Sequence, residues 1–254
     1  AELDVTDPTA VAARMRSAPP ALVVNCAAFT QVDGCESEPE RAWAVNAHAV
    51  RGIAVAAEHS GAVLVQVSTD YVFDGKAGKP YDEAAPTSPL SVYGASKLAG
   101  ERAALESSRG LVVRASWLFG PGGHNFVRAI LGRARAGEAL RVVDDQVGCP
   151  TYTPYLAEAL LDLSALAASG TIRLPGVVHY RNREPVSWFG FARAILDVWG
   201  LAAPLTPVGT AEFPRPASRP AYSVLDVTRT ASVLGRPIES WRDGLEEYRD
   251  AGME

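Results

Sequence analysis

Tyr93 and Lys97 stand four residues apart in a chain of 254 residues, a spacing that puts a phenol and an ammonium on one helix face. A free phenol titrates near pKa ~10, and a cation within about 6 Å favours its ionised form, so Lys97 is expected to make Tyr93 a competent acid or base. The spacing alone also occurs on surface helices that carry an incidental tyrosine, so the residues upstream matter. Ala62-Val-Leu-Val-Gln-Val67 is a short, β-branched run that suits a buried strand of a parallel sheet, and it runs into Ser68-Thr69-Asp70. Ligands in open α/β sheets gather at the carboxyl ends of strands, where a hydroxyl can donate to a substrate carbonyl. A second run, Ala21-Leu-Val-Val24, ends in Asn25-Cys-Ala-Ala28, whose small side chains let a flat cofactor approach the backbone. Leu111 to Trp117 is a third run of the same kind.

The elements that must position these groups alternate. Residues 96–107, carrying Leu98, Ala99, Ala103 and Leu105, read as the helix that Tyr93 opens. Residues 39–59 place Ala42, Val45, Ala49, Ile53 and Ala56 at helical spacing, with Gly61 as a stop signal. Asn46 is polar on that otherwise apolar helix; it reads either as holding a water in a proton relay or as part of a solvated face. Residues 75–89 are expected to form a surface loop, and 213–220 a short proline-rich one. Further helices are expected over 125–136, 156–166, 187–199 and 241–249, with a strand over 140–143. His179, in Val177-Val-His-Tyr180, reads as a strand residue. This alternation predicts a doubly wound parallel sheet.

Composition narrows the function. A 254-residue chain with 48% hydrophobic residues can bury a full core. Its net charge of −5, with arginines spread along the chain, argues against a nucleic-acid partner. No apolar run reaches the ~20 residues needed to cross a bilayer, and the first residues lack the order of a signal peptide, so a cytoplasmic protein without a membrane partner is expected. Three cysteines form no C-x-x-C pair, and no two of the four histidines have metal-pair spacing, so reduced thiols and no metal are expected. Cys26 reads as a small core residue.

The chain resembles the extended short-chain dehydrogenase/reductases and, within them, the dTDP-4-dehydrorhamnose reductases. The likeness is carried over nearly the whole chain by Asn25-Cys-Ala-Ala-Phe-Thr-Gln-Val-Asp33 with Glu36-Ser-Glu-Pro39, Ser68-Thr-Asp-Tyr-Val-Phe73, Tyr93-Gly-Ala-Ser-Lys97, Arg114-Ala-Ser-Trp117, Asp145-Gln-Val-Gly-Cys-Pro-Thr151 and Arg219-Pro-Ala-Tyr-Ser-Val-Leu-Asp226. It implies a Rossmann-like sheet with a smaller α/β substrate lobe: residues 1–118 and 151–182 for the dinucleotide, 119–150 and 183–254 for a sugar nucleotide. It implies reduction of the 4-keto group of dTDP-4-dehydro-L-rhamnose by NADP(H) or NAD(H), in a monomer or homodimer. Tyr93 would protonate the developing alkoxide, Thr69 would hydrogen-bond the same oxygen, and Lys97 would serve both the phenol and the nicotinamide ribose. Ala27, Ala28, Thr30 and Val32 would line the cofactor, with Asp4 and Val5 at its adenine end. Thr69, Asp70, Tyr71 and Trp117 would contact the sugar nucleotide. Arg219 would clamp the diphosphate, with a surface salt bridge as the alternative; for Trp117 the alternative is plain core.

The sequence departs from the family's pattern at two places. Phe29 replaces a histidine often found there. No G-x-G-x-x-G or G-x-x-G-x-x-G occurs near the start, so the first strand-helix-strand unit, on the order of 30 residues, is expected to be absent from this chain. Other readings stay open. An epimerase or dehydratase would also use Tyr93 and Lys97, although a dehydratase usually shows a second acidic residue where Tyr71 stands. A regulatory homologue would fit the missing loop but not the intact Thr69, Tyr93 and Lys97.

Overall fold

The computed structural model describes residues 3–252; the outermost residues of the two expected halves, at 1–2 and 253–254, lie outside the described range. Four parallel strands form the main sheet: β1 (Leu22–Asn25), β2 (Val63–Thr69), β3 (Gly110–Ala115) and β5 (Gly176–His179), in the order β1-β2-β3-β5. Their register sets Asn25 beside Gln66 and Thr69 beside Ala115, so three carboxyl ends lie side by side. Val63, Val65, Leu111 and Val113 face α7 (Thr153–Ala168), while Leu64 and Val112 face α4 (Ala49–Ser60) and α1 (Pro8–Ser17). Alternate residues thus feed two cores on opposite faces, which is why these strands are apolar throughout.

Local signals set the helix bounds. Asp7 caps α1 by accepting from Thr9 N and Ala10 N, ahead of Pro8. Gly61 closes α4 at φ 70°. Ser91 caps α5 (Val92–Ala104), so this helix starts before the expected residue 96 and makes Tyr93 its second residue. The helix expected over 39–59 is interrupted: after α2 (Val32–Ser37), α3 (Pro39–Trp43) passes into a π turn, Ala44–His48, before α4. The extra residue of the π turn carries Asn46 inward. Neither α1 nor α2 stood out in the sequence, since α1 has only Val11 buried and α2 is six residues long.

A second core lies to the side. It packs α6 (Phe126–Arg135), α8 (Trp188–Trp199) and α10 (Trp241–Asp250) against β4 (Leu140–Val143), which pairs in parallel with β6 (Leu205–Val208). Helix α9 (Thr228–Leu234) packs with the main sheet's core through Ala231, Val233 and Leu234. The loop 75–89 is not wholly at the surface, because Tyr81 is buried and stacks on Phe73 at 4.2 Å. No described helix is long and apolar enough to cross a membrane.

Candidate active site

Strand β2 ends at Thr69, and the chain turns at once into a short 3-10 segment, Asp70–Val72. Thr69 Oγ1 accepts from Tyr71 N at 3.2 Å and donates to Asp70 Oδ1 at 3.1 Å. Both Thr69 and Asp70 are buried. The Tyr71 ring meets the Tyr93 ring edge-on, with centroids 5.7 Å apart. Gly94 makes this approach possible, since a Cβ there would lie 2.3 Å from the Tyr71 carbonyl oxygen.

Lys97 is buried and donates to the Val67 carbonyl at 2.8 Å, which ties α5 to the end of β2. Loss of water lowers its pKa to about 8, although Glu101, one turn further along, favours the charge. The Tyr93 phenol is raised by burial. The expectation that Lys97 acidifies Tyr93 is therefore corrected: desolvation dominates, and the ammonium is engaged by a carbonyl. Burial also raises Asp70 to about 7 and pushes Tyr71 up.

Asn46 is buried, which removes the reading of a solvated face. Its Oδ1 accepts from Phe29 N at 2.8 Å, while Nδ2 donates to Phe29 O at 3.0 Å and Ser96 Oγ at 3.1 Å. Both amide hydrogens are thus spent on pinning the segment after β1 to α5. A further buried chain lies behind Lys97: Ser68 Oγ donates to Glu101 at 2.5 Å, Arg114 pairs with Glu101 at 2.7 Å, and Arg114 approaches His179 Nε2 at 3.3 Å. An arginine only donates, so Nε2 accepts and the imidazole is neutral. Sequence reading named Arg114 only within a motif and did not single out Glu101.

Ala27 and Ala28 follow β1 as half-buried coil, Thr30 is exposed, and Val32 opens α2. Cys26 is exposed, correcting its expected place in the core, because β1 ends before it. The Lys97 charge bears on its thiol, so the two are neighbours. Small residues beside the carboxyl ends, together with an ammonium that has two further N–H groups to give, fit a nicotinamide and its ribose. Asp4 and Val5 belong to another neighbourhood. Asp4 accepts from the Thr6 amide and hydroxyl, and Val5 packs with Val11, Val50 and Ile53.

A cleft of about 490 Å³ adjoins this centre through Tyr71 and is walled by Arg219, Arg215, Arg141, Arg133, Trp188 and Phe126, among others. Arg219 holds Asp33 with both guanidinium ends, at 3.1 and 2.9 Å, so the salt bridge named as its alternative is present and half-buried. Trp117 is held at φ 48° and stacks on Trp188 with centroids 3.6 Å apart. It is only partly buried, so it is not plain core. Trp188 escaped sequence reading because, as the first residue of the apolar helix α8, it looks like packing. The motif Asp145-Gln146 acts at a distance: Asp145 accepts from Thr210 N and Oγ1, and Gln146 donates to Thr210 Oγ1, which ties down a cleft wall.

A hydroxyl, a phenol and an ammonium lie at the carboxyl edge of a parallel sheet, the edge where ligands of such sheets bind. The sequence model of the RmlD substrate binding domain matches residues 1–253. The chain is 44% identical over 248 residues to a dTDP-4-dehydrorhamnose reductase of Streptomyces griseus, covering 96% of this chain and 81% of that one. It is 44% identical over 251 residues to the reductase of the same name from Mycobacterium tuberculosis, covering 95% and 80%. A crystal structure of a dTDP-4-dehydrorhamnose reductase from Bacillus anthracis in complex with NADP superposes with a TM-score of 0.92 at 36% identity, covering 98% of this chain and 87% of that one. The chain belongs to the RmlD substrate-binding-domain family.

Proposed function

We propose that the chain reduces the 4-keto group of dTDP-4-dehydro-L-rhamnose with NADPH or NADH, giving dTDP-L-rhamnose for cell-surface polysaccharide synthesis. The observation that carries this reading is Thr69, Tyr93 and Lys97 meeting at the strand ends beside an arginine-walled cleft suited to a nucleoside diphosphate. Ala27, Ala28 and Lys97 would hold a nicotinamide, which when bound would supply the hydride. Tyr93 gives its phenolic proton to the 4-oxygen as that oxygen gains charge, so the Tyr93 O–H bond breaks and the product O–H forms. Lys97, with two further N–H groups, would hold the ribose hydroxyls. Arg219, shared between Asp33 and substrate, grips the diphosphate; Tyr71 and Trp117 flank the sugar.

On this reading residues 1–118 and 151–182 serve the cofactor, and 119–150 and 183–254 the sugar nucleotide, with α9 packed on the first half. The protein works in the cytoplasm as a monomer or homodimer. Replacement of Tyr93 by Phe should lower kcat at least about 100-fold. Turnover above a tenth of the parent rate would remove Tyr93 as the acid.

A further inference from the structure

A threonine hydroxyl has one proton to give and two lone pairs, and at Thr69 the proton and one lone pair are engaged. The proton goes to Asp70 Oδ1, while Oγ1 accepts from Tyr71 N. In this arrangement Thr69 cannot donate to a substrate oxygen. Asp70 holds the hydroxyl in that direction, from a position only 2% exposed, and its second oxygen, Oδ2, has no protein partner. An ionised carboxylate accepts only, whereas a protonated one can donate to Thr69 and leave the threonine proton free to turn.

We propose that Asp70 is a positioning residue whose protonation sets the direction of the Thr69 hydroxyl: ionised, it claims the Thr69 proton; protonated, it releases that proton toward the Tyr93 oxygen and the reacting carbonyl. The inference rests on the reductase reading and adds a switch to it. The proton-loaded form is the productive one, because Thr69 can then stabilise the phenolate that Tyr93 becomes. No net reaction is added; the O–H of Thr69 turns and that of Asp70 replaces it as donor within the pair.

The surroundings let this group titrate by itself. Burial brings Asp70 to about 7, against the hydrogen bond from Thr69 that lowers it. The titratable groups facing it are the Tyr71 and Tyr93 phenols and the Cys149 thiol, the last pushed up to about 12. All three stay neutral between pH 6 and 9. Arg219 stands beside Tyr71 and Arg181 beside Cys149. Lys97, at about 8, is the one other group of the centre that titrates in the window, so its limb must be separated from that of Asp70.

The test combines kcat–pH profiles of the parent and Asp70→Asn on the 4-keto sugar nucleotide with 13C NMR titration of the Asp70 carboxyl in the parent and Thr69→Val. Parent kcat should fall with rising pH through the Asp70 midpoint, by about tenfold per unit. Asp70→Asn should lose that limb and keep the one belonging to Lys97. Thr69→Val, lacking the donor to the carboxylate, should raise the Asp70 midpoint. An unchanged limb in Asp70→Asn, or an unmoved midpoint in Thr69→Val, overturns the switch; the NMR arm decides alone if the asparagine variant does not fold. Full turnover by Tyr93→Phe, by contrast, would overturn the reductase reading of the site.

Discussion

At the residue scale the centre is built from groups that folding has made uncomfortable. Lys97 surrenders its water and gains one carbonyl, and burial shifts it toward the neutral form, so the folded state loses stability as pH falls from 10.5 through about 8. Lys97→Met should therefore raise the melting temperature at pH 7, by about 2–4 °C for each kcal/mol recovered, while turnover collapses. A melting point that falls would mean the bond to Val67 outweighs the desolvation. Trp188 is the second test at this scale. Its ring supports Trp117 face to face, so Trp188→Ala should raise KM for the sugar nucleotide several-fold and leave KM for the cofactor nearly constant. An effect on the cofactor alone would place the stacked pair on the wrong side of the centre.

At the element scale the decisive contact is between α5 and the π turn. Gly100 lets the two backbones meet: a Cβ there would stand 2.1 Å from the Asn46 carbonyl oxygen. Gly100→Ala should cost about 1–3 kcal/mol and shift the Tyr93–Lys97 pair, measured as a lower urea midpoint with lower kcat. Gly132, exposed in α6 with nothing within 4 Å of its Cβ position, is the control; its change to alanine should stabilise by about 0.5–1 kcal/mol. Equal effects at the two glycines would dismiss the close approach as the cause. The carboxyl ends of β1, β2 and β3 were legible, since apolar runs bounded by polar residues name their own strand ends, whereas their register was not. The π turn was not, because Ala42, Val45, Ala49 and Ile53 keep a helical spacing whether or not one residue bulges.

At the scale of the whole molecule, buried polar chains join the layers. Ser68, Glu101, Arg114 and His179 link β2, α5, β3 and β5. Burial and the adjacent Arg114 push His179 down to about 3. Its folded pKa lies below the unfolded value of ~6.5, so the unfolded chain binds more protons between those values and stability falls as pH drops through that window. The slope from this group approaches about 1.4 kcal/mol per pH unit. Urea midpoints at pH 7.5 and 5 should show the fall in the parent and a smaller one in His179→Gln; identical falls would assign the acid sensitivity elsewhere. Asp33 with Arg219 forms the corresponding tie at the surface, joining α2 to the segment beside the cleft.

The sequence by itself determined the chemistry and the strand grammar: Thr69 at a strand end, Tyr93 and Lys97 one turn apart, small residues after β1. These follow from side-chain type and near-neighbour spacing, which are local. What only the tertiary structure decided is the state of those groups. Whether Lys97 acidifies Tyr93 or is itself shifted downward by burial, whether Asn46 faces water or Phe29, whether Arg219 is alone or held by Asp33, and that Trp188 lies under Trp117, all depend on contacts between residues 17 to 186 positions apart. Desolvation and ion pairing are properties of what surrounds a group in space, and no local pattern encodes them.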